Sequence, residues 1–271
     1  MGEPEQSCIL VTGAAGGIAR LLRPRLRRPA RALRLLDRRA IGPGGPNEQV
    51  CPGQLGDPAA LRAACTGADA ILHLGGEPTE APWPDIVSAN MDGTLNLLEA
   101  AVDTGVRRVI LASSNHAVGL LPGDVNPVPA DGSYRPDSFY GVSKAVVEML
   151  GLLYHQRHGL DVTCLRIGRC VTQPRRPRNL ANWLSPDDAA RLVEACLLTE
   201  PAGHRIVWAV SANTRGRFDL EPGRRIGYHP QDDSEQFADE VIANGAAADA
   251  DADDELIGGP FTRRPLGVRP G

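Results

Sequence analysis

Short apolar runs alternate with segments of helical periodicity along most of the chain. The runs have the length of strands and are hydrophobic on both faces, which is typical of a parallel sheet covered by helices on both sides. They span residues 8–12, 32–36, 70–74, 107–112, 162–167 and 205–210, and helical spacing is found at 18–28, 58–66, 85–104 and after 137. This alternation predicts an α/β fold with a doubly wound parallel sheet.

The first apolar run ends in a glycine-rich turn. Gly13, Gly16 and Gly17 stand between this strand and the first helix, in the pattern TGxxGxxA, so that Ala19 occupies the third small-residue position. Glycines let the backbone approach a pyrophosphate, and the helix N-terminus supplies free N–H groups to hold it. The turn therefore predicts a dinucleotide site, with Ile18 beside it.

The second strand ends in Asp37, about twenty residues beyond the glycines, where an acid binds the hydroxyls of the adenine ribose. Asp37 would repel a 2′-phosphate, so the cofactor is predicted to be NAD. Arg38 and Arg39 follow directly and keep NADP as a minor alternative. Gly75 and Gly76 end a later strand, where backbone passes along a bound cofactor.

Lys144 is the single lysine among 29 Lys and Arg residues, and it follows Tyr140 by four positions. On a helix this spacing places the phenol and the amine on one face. The ammonium would stabilise the phenolate and lower the pKa of Tyr140 from about 10 toward neutral. Tyr140 is thus the candidate base, and Ser114, at the end of the preceding strand, is the candidate hydroxyl donor to the substrate. His116 is interpreted as structural.

Capping residues mark two helix starts. Ser185 followed by Pro186 predicts an N-cap and a first helical residue. Asp137 is the predicted N-cap of the helix that carries Tyr140. The loop before Ser185, residues 169–183, is rich in Pro and Arg.

The whole chain, residues 1–271, is predicted to form one domain, as doubly wound sheets of this size commonly do. Residues 7–170 would form the cofactor-binding core, and residues 171–243 mainly substrate-side elements and the last strand. Residues 244–271 hold an acidic low-complexity connector, NGAAADADADDE at 244–255, and a Pro/Gly/Arg tail without an interpretable pattern.

Composition argues against several other classes of protein. The net charge is −4, the hydrophobic fraction is 42%, and no apolar run approaches the length of a membrane span, so we expect no nucleic acid or membrane partner. Nine arginines between Arg20 and Arg39 are interpreted as solvated surface. The six cysteines have no metal-ligand spacing, which predicts no metal site and favours a reducing, cytoplasmic location.

Together these motifs resemble the short-chain dehydrogenase/reductase superfamily in its extended, epimerase-like branch. Six segments further resemble the uronate dehydrogenase family: HLGG at 73–76, ASSNH at 112–116, RPDSFYGVSK at 135–144, RIGRC at 166–170, RNLANW at 178–183 and VWAVSAN at 207–213. The similarity runs from about residue 8 to 243, with a weaker echo at 258–261. It implies a Rossmann-type sheet with small C-terminal substrate-binding elements, and we also expect a homo-oligomer.

Members of that family oxidise glucuronate or galacturonate at C1 with NAD, giving an aldarolactone. The resemblance implies that Tyr140 removes the proton of the C1 hydroxyl while hydride leaves for the nicotinamide. The implied cofactor residues are Gly13, Gly16, Gly17, Ile18, Asp37, Gln54, Leu55, Leu74, Gly75, Gly76, Asn90, Tyr140, Lys144, Ile167 and Arg169. The implied substrate residues are Pro78, Thr79, Ser113, Ser114, Asn115, Tyr140 and Arg178, the last for the carboxylate, with Arg175 and Arg176 as competitors.

Three positions depart from the family pattern, which has a small hydroxyl residue at Pro78, an acid at Gln54 and a serine at Arg169. Thr79 is the candidate replacement for the missing hydroxyl.

Three alternative functions remain open at this stage. A nucleotide-sugar epimerase or dehydratase usually carries a larger C-terminal domain than the residues left after the sixth strand. A non-catalytic NAD sensor tends to lose the tyrosine or the lysine, and this chain retains both. A lactone- or aldehyde-reducing enzyme differs only in the direction of the reaction.

Overall fold

A computed structural model of the chain describes residues 7–245 and 255–270. Its central sheet has seven strands, β1 (Ser7–Thr12), β2 (Arg31–Asp37), β3 (Glu48–Pro52), β4 (Ala70–His73), β5 (Arg108–Ser114), β6 (Asp161–Ile167) and β9 (His204–Ala209). Two further short strands, β7 (Arg169–Cys170) and β8 (Trp183–Leu184), pair separately. All seven strands of the sheet are parallel, in the order β3-β2-β1-β4-β5-β6-β9, which confirms the predicted fold.

Helices follow most of the strands. They are α1 (Gly17–Leu26), α2 (Pro58–Cys65), α3 (Trp83–Ile86), α4 (Gly93–Thr104), α5 (Phe139–His158), α6 (Asn179–Asn182), α7 (Pro186–Leu198), α8 (Glu221–Arg224) and α9 (Ala238–Gly245). The segment predicted as one helix at 85–104 is interrupted by a π-helical turn, Val87–Asp92. The loop predicted at 169–183 contains α6 and the strand β7. The predicted connector at 244–255 lies almost wholly outside the described residues.

Alternate residues of the central strands are buried against different helices. Ile9 and Val11 of β1 belong to a core cluster that includes α1 and α7, whereas Leu10 belongs to a second cluster that includes α2, α4 and α5. Each of these three side chains is at most 2% exposed. Because the sheet is covered on both faces, its apolar runs are continuous rather than alternating.

The strand order places a crevice at the carboxyl end of β1. The chain leaves β1 for β2 and β3 on one side and returns through α2 to β4 on the other side. In doubly wound sheets, ligands bind where the strand order reverses in this way. The ends of β5 and β6 reach the same edge, so that Gly13, Gly75, Ser114 and Ile167 lie along one border of the sheet.

Five of the nine arginines between Arg20 and Arg39 are exposed, but two of the others are enclosed in ion pairs. Arg23 pairs with Glu48 of β3 at 2.7 Å, and its side chain is only 13% exposed. Arg31 pairs with Glu194 of α7 at 2.6 Å, and its side chain is 11% exposed. These pairs tie α1 and β2 to their neighbours, so the interpretation as plain solvated surface is incomplete.

The two predicted helix caps have different outcomes. The Ser185 hydroxyl accepts a hydrogen bond from the Asp188 N–H at 2.8 Å, which confirms the predicted cap of α7. The predicted cap of α5 is wrong, because Ser138 rather than Asp137 accepts from the Gly141 N–H, at 2.9 Å. The Asp137 carboxylate is instead hydrogen-bonded to the side chains of His116 and Ser138, so it does not cap the helix.

The tail at residues 255–270, called the C-terminal segment below, lies against the carboxyl edge of the sheet. The Ile257 N–H donates to the Leu121 carbonyl at 2.9 Å, and the Gly258 N–H donates to Gly119 at 2.8 Å. Further along, the Gly267 N–H donates to Glu80 at 2.7 Å. Nothing in its sequence pattern predicts this position.

Candidate active site

A cleft of about 570 Å³ opens at the carboxyl ends of β1, β2 and β4. Most of the residues assigned to the cofactor from the sequence line this cleft: Gly13, Gly16, Gly17, Ile18, Asp37, Gln54, Leu55, Leu74, Gly75 and Gly76. Pro78, assigned to the substrate, also lines it. The structure thus brings together residues from four separate stretches of sequence.

The glycine turn and the end of β4 are in backbone contact. Gly13 has φ +66°, and a Cβ atom there would lie 2.7 Å from the Gly75 nitrogen and from the Leu74 carbonyl group. Gly16 is the N-cap of α1 and has no side chain, so the first N–H groups of the helix are left for a ligand. Ala19 is buried in the core behind the turn. This arrangement fits a pyrophosphate.

Asp37 braces the same turn from the second strand. Its Oδ2 atom accepts from the Ala15 N–H at 2.9 Å, and its Oδ1 atom accepts from the Arg39 N–H at 2.8 Å. Arg38 pairs across the cleft with Glu77 at 3.4 Å. The Asp37 carboxylate would repel a 2′-phosphate, and Arg38 is already paired with Glu77. The cleft therefore fits a free 2′-hydroxyl better than a 2′-phosphate.

The predicted catalytic residues meet where α5 passes the end of β5. The Ser114 hydroxyl lies near enough to the Tyr140 phenol to affect its acidity. The Lys144 ammonium lies 5.5 Å from the centroid of the Tyr140 ring and donates to the Ala112 carbonyl at 2.8 Å. The structure therefore groups the phenol, the ammonium and the serine hydroxyl at one point.

Burial controls the acidity of this group. It raises the pKa of Tyr140 to about 12, although the nearby Ser114 hydroxyl acts in the opposite direction. Burial also lowers the pKa of Lys144 to about 8, against the attraction of Glu148. The expected lowering of the Tyr140 pKa by Lys144 is therefore outweighed by burial. Burial favours the neutral form of the amine as well as that of the phenol.

Asn90, assigned to the cofactor, connects the loop after β4 to α5. Its Oδ1 atom accepts from the Glu77 N–H at 2.7 Å, and its Nδ2 group donates to the Ser143 hydroxyl at 2.8 Å. The Ser143 hydroxyl donates in turn to the Tyr140 carbonyl at 2.7 Å. Asn90 lies in the π-helical turn, a feature frequent at functional sites.

Two residues assigned to the substrate are held by the C-terminal segment. Asn115 Nδ2 and Arg178 Nη2 both donate to the Ile257 carbonyl, at 3.3 and 3.0 Å. Gly259 packs on the guanidinium of Arg178, so closely that a Cβ atom would overlap it. Arg178 is partly buried at this place, whereas Arg175 and Arg176 are exposed.

His116 and Phe261 lie beside Tyr140. His116 Nδ1 lies 2.6 Å from Asp137 Oδ2, and the Ser138 hydroxyl also binds Asp137, at 2.7 Å. The ring of Phe261 lies 4.1 Å from that of His116 and 6.2 Å from that of Tyr140, between centroids. Sequence reasoning missed Phe261, and only the weak echo at 258–261 pointed to it.

The remaining predicted residues have various positions. The Ser113 hydroxyl donates to Glu148 of α5, so it serves the packing of that helix. Ile167 is buried at the end of β6, Arg169 is exposed on β7, and Thr79 is half-buried in the loop after Gly76. Within residues 7–245 and 255–270, no group of His, Cys, Asp or Glu is arranged to hold a metal ion. In the same ranges, none of the helices has the length and hydropathy that crossing a membrane requires.

The fold and this site define a dinucleotide-dependent enzyme of the extended short-chain type. The sequence model of the NAD dependent epimerase/dehydratase family matches residues 9–185, and the chain belongs to that family. Within it the chain is a member of the uronate dehydrogenase family. It is 40% identical to the uronate dehydrogenase of Pseudomonas putida over 93% of this chain and 94% of the relative.

Solved structures agree with this placement. A mutant uronate dehydrogenase from Agrobacterium tumefaciens complexed with NAD is 37% identical, with a TM-score of 0.91 over 96% of this chain and 98% of that chain. A glucuronic acid dehydrogenase from Chromohalobacter salexigens is 36% identical, also with a TM-score of 0.91 and the same two coverages.

Two glycine substitutions should separate folding from cofactor binding. Gly13→Ala adds a side chain that would overlap the backbone of Leu74 and Gly75, at a residue whose φ is positive. We therefore expect the free energy of unfolding to fall by about 1–3 kcal/mol and NAD binding to weaken. Gly17→Ala meets nothing within 4 Å and lies in the first turn of α1, so stability should be kept while the new methyl group weakens NAD binding about tenfold. Urea unfolding and calorimetric titration with NAD measure both effects. A Gly13→Ala variant as stable as the wild type would contradict the described backbone contact.

Proposed function

We propose that the protein oxidises a hexuronate, glucuronate or galacturonate, at C1 with NAD and releases the aldarolactone. The observation that carries this proposal is the proximity of three groups. Tyr140 and Ser114 are neighbours where α5 passes the end of β5, and Arg178 donates to the same Ile257 carbonyl as Asn115, the residue after Ser114. The names of the relatives support the same substrate class.

Bound NAD supplies the acceptor for the hydride that leaves C1. The chain's own groups handle the proton and the orientation of the sugar. Ser114 holds the C1 oxygen, and deprotonated Tyr140 accepts the C1 hydroxyl proton as the C–O bond becomes a carbonyl. Lys144 stabilises the negative charge on Tyr140, and Asn115 is positioned to bind a neighbouring sugar hydroxyl.

Arg178 is the proposed partner of the uronate carboxylate. A guanidinium can bind a carboxylate with two parallel hydrogen bonds, which gives both affinity and orientation. The Ile257 carbonyl already holds one Arg178 nitrogen, so the guanidinium plane is fixed before substrate binds. Such preorganisation reduces the cost of ordering the side chain.

The C-terminal segment favours a small sugar acid over a nucleotide sugar. Phe261 of this segment packs 6.2 Å from the Tyr140 ring, between centroids, and so limits the space beside the catalytic residues. A non-catalytic NAD sensor would not need Tyr140, Lys144 and Ser114 to meet.

The purified protein should reduce NAD when given glucuronate or galacturonate. Tyr140→Phe removes the proton acceptor, so we expect a loss on the order of 10³-fold in kcat. Arg178→Lys keeps the positive charge but cannot form two parallel hydrogen bonds with a carboxylate, so KM for the uronate should rise about tenfold. Absorbance of the reduced cofactor measures all three proteins.

The corresponding neutral sugars, glucose and galactose, are the control for the carboxylate. Their low activity should be the same in the wild type and in Arg178→Lys. If the wild type binds NAD but oxidises neither uronate, the substrate assignment is wrong. Equal effects of Arg178→Lys on acidic and neutral sugars would remove Arg178 from the carboxylate site.

The rate of oxidation should depend on pH through the Tyr140–Lys144 pair. Because the pKa of Tyr140 is about 12, its phenolate fraction grows with pH, and the rate should rise with pH across the alkaline range. The Lys144 ammonium loses its charge near its pKa of about 8, so its stabilisation of the phenolate should fade above that pH. Lys144→Met should therefore lower the rate most below about pH 8 and least at high pH. The check is kcat/KM against pH at saturating NAD. Superimposable profiles for the two proteins would contradict this effect of Lys144.

We also propose that the protein works as a homo-oligomer in the cytoplasm. Helix α5 exposes three apolar side chains, Met149, Leu152 and Leu153, at 55%, 40% and 49%, and α4 exposes Leu95 at 38%. A second copy of this chain is the proposed cover for the apolar face. Sedimentation velocity should show a dimer or larger assembly that Leu153→Glu weakens. A monomeric wild type at micromolar concentration would contradict the assembly.

The six cysteines are free thiols, which suits a reducing compartment.

A further inference from the structure

Glu80 is a buried carboxylate with no role in the chemistry described above. The residue is 1% exposed, and its two oxygens together bind α5 and the C-terminal segment. Oε2 accepts from the Tyr140 N–H at 2.9 Å, and Oε1 accepts from the Gly267 N–H at 2.7 Å and the Phe139 N–H at 3.4 Å. A carboxylate is retained in such a place only when donors compensate its loss of water.

We propose that Glu80 is a positioning residue for the oxidation, which links the docking of the C-terminal segment to the placement of Tyr140. The inference rests on the proposed function, because it concerns the same tyrosine. Oε2 of Glu80 holds the backbone of the catalytic residue, and Oε1 holds both the neighbouring Phe139 and the segment that covers the substrate.

The tyrosine side of this link is the first turn of α5. Its early N–H groups have no partner within the helix and must be satisfied from outside. Ser138 accepts from the Gly141 N–H, and Glu80 accepts from the N–H groups of Phe139 and Tyr140. The rotation of this turn, and with it the direction of the Tyr140 side chain, is therefore fixed jointly by Ser138 and Glu80. A negative charge is also favourable at this end of a helix.

The other side of the link is the fastening of the C-terminal segment. Asn115 and Arg178 hold its beginning through Ile257, and Glu80 holds it again at Gly267. Phe261 lies between these two attachments, against His116 and close to Tyr140. Release at Gly267 would free Phe261 and admit water to the substrate side, and it would also leave Glu80 able to move away from α5.

Two full-length variants break the link from opposite ends. In Glu80→Gln an amide NH₂ group replaces one of the two oxygens. This group cannot accept a hydrogen bond from the backbone N–H groups that faced the lost oxygen. Gly267→Pro removes the N–H and cannot adopt φ +76°, while the carboxylate stays in place. Each should lower kcat for uronate oxidation about tenfold, with NAD affinity within twofold of wild type. The double variant should be no slower than the slower single variant, because both changes break one connection.

Asp85→Asn is the matched control. Asp85 binds Arg269 of the C-terminal segment at 2.9 Å but no N–H group of α5, so kcat should stay within twofold of wild type. Wild-type activity in Gly267→Pro, or losses that multiply in the double variant, would overturn the link. So would a Glu80→Gln protein whose melting temperature falls while kcat is unchanged. If Glu80→Gln does not fold, Gly267→Pro decides the question.

The same assay distinguishes this inference from the proposed function. An active Tyr140→Phe variant would remove the proposed base, and the role of Glu80 would fall with it. An inactive Tyr140→Phe together with a fully active Gly267→Pro would leave the oxidation in place and reject the role of Glu80 alone.

Discussion

The catalytic arrangement depends on how closely α5 approaches the turn after β5. Gly141 makes this approach possible, since a Cβ atom at that position would overlap the carbonyl oxygen of His116. With the helix in near backbone contact, Tyr140 reaches Ser114, and Lys144, one turn later, reaches the Ala112 carbonyl. A side chain at 141 would move the whole first turn outward and separate the phenol from the serine. The chemistry is thus a consequence of a packing distance set by one missing methyl group.

A buried ion pair holds the same helix further along. Glu148 accepts two hydrogen bonds from Arg166 of β6, at 2.9 and 2.8 Å, and both side chains are 0% exposed. Removing two charges from water is costly, and the bidentate geometry offsets the cost only because both oxygens are used. Ser113 adds a further donor to Glu148. The same carboxylate opposes the effect of burial on the pKa of Lys144, so one group serves both the packing and the charge of the site.

Features that lie within one element could be predicted from the sequence. The glycine turn and the Tyr140–Lys144 spacing each depend on a few neighbouring residues, and the apolar runs were sufficient for the parallel sheet. The predicted N-cap of α5 was wrong because Asp137 instead hydrogen-bonds His116, which lies on another element. The link between Glu80 and Gly267 joins residues 187 positions apart, and no local pattern encodes it. The acidity of Tyr140 was misjudged for a similar reason, since burial is a property of the folded chain and not of a spacing.

The choice of cation at each position follows the same physical logic. Arg31 and Arg166 each meet a carboxylate with two nitrogens, a geometry that only the guanidinium fork provides. At position 144 the cation is buried and donates to a single carbonyl oxygen beside a phenol. Burial brings the pKa of an amine there to about 8, whereas a guanidinium would keep its proton at any pH the protein tolerates. The only lysine of the chain therefore stands where the cation must be compact and lie close to the Tyr140 ring.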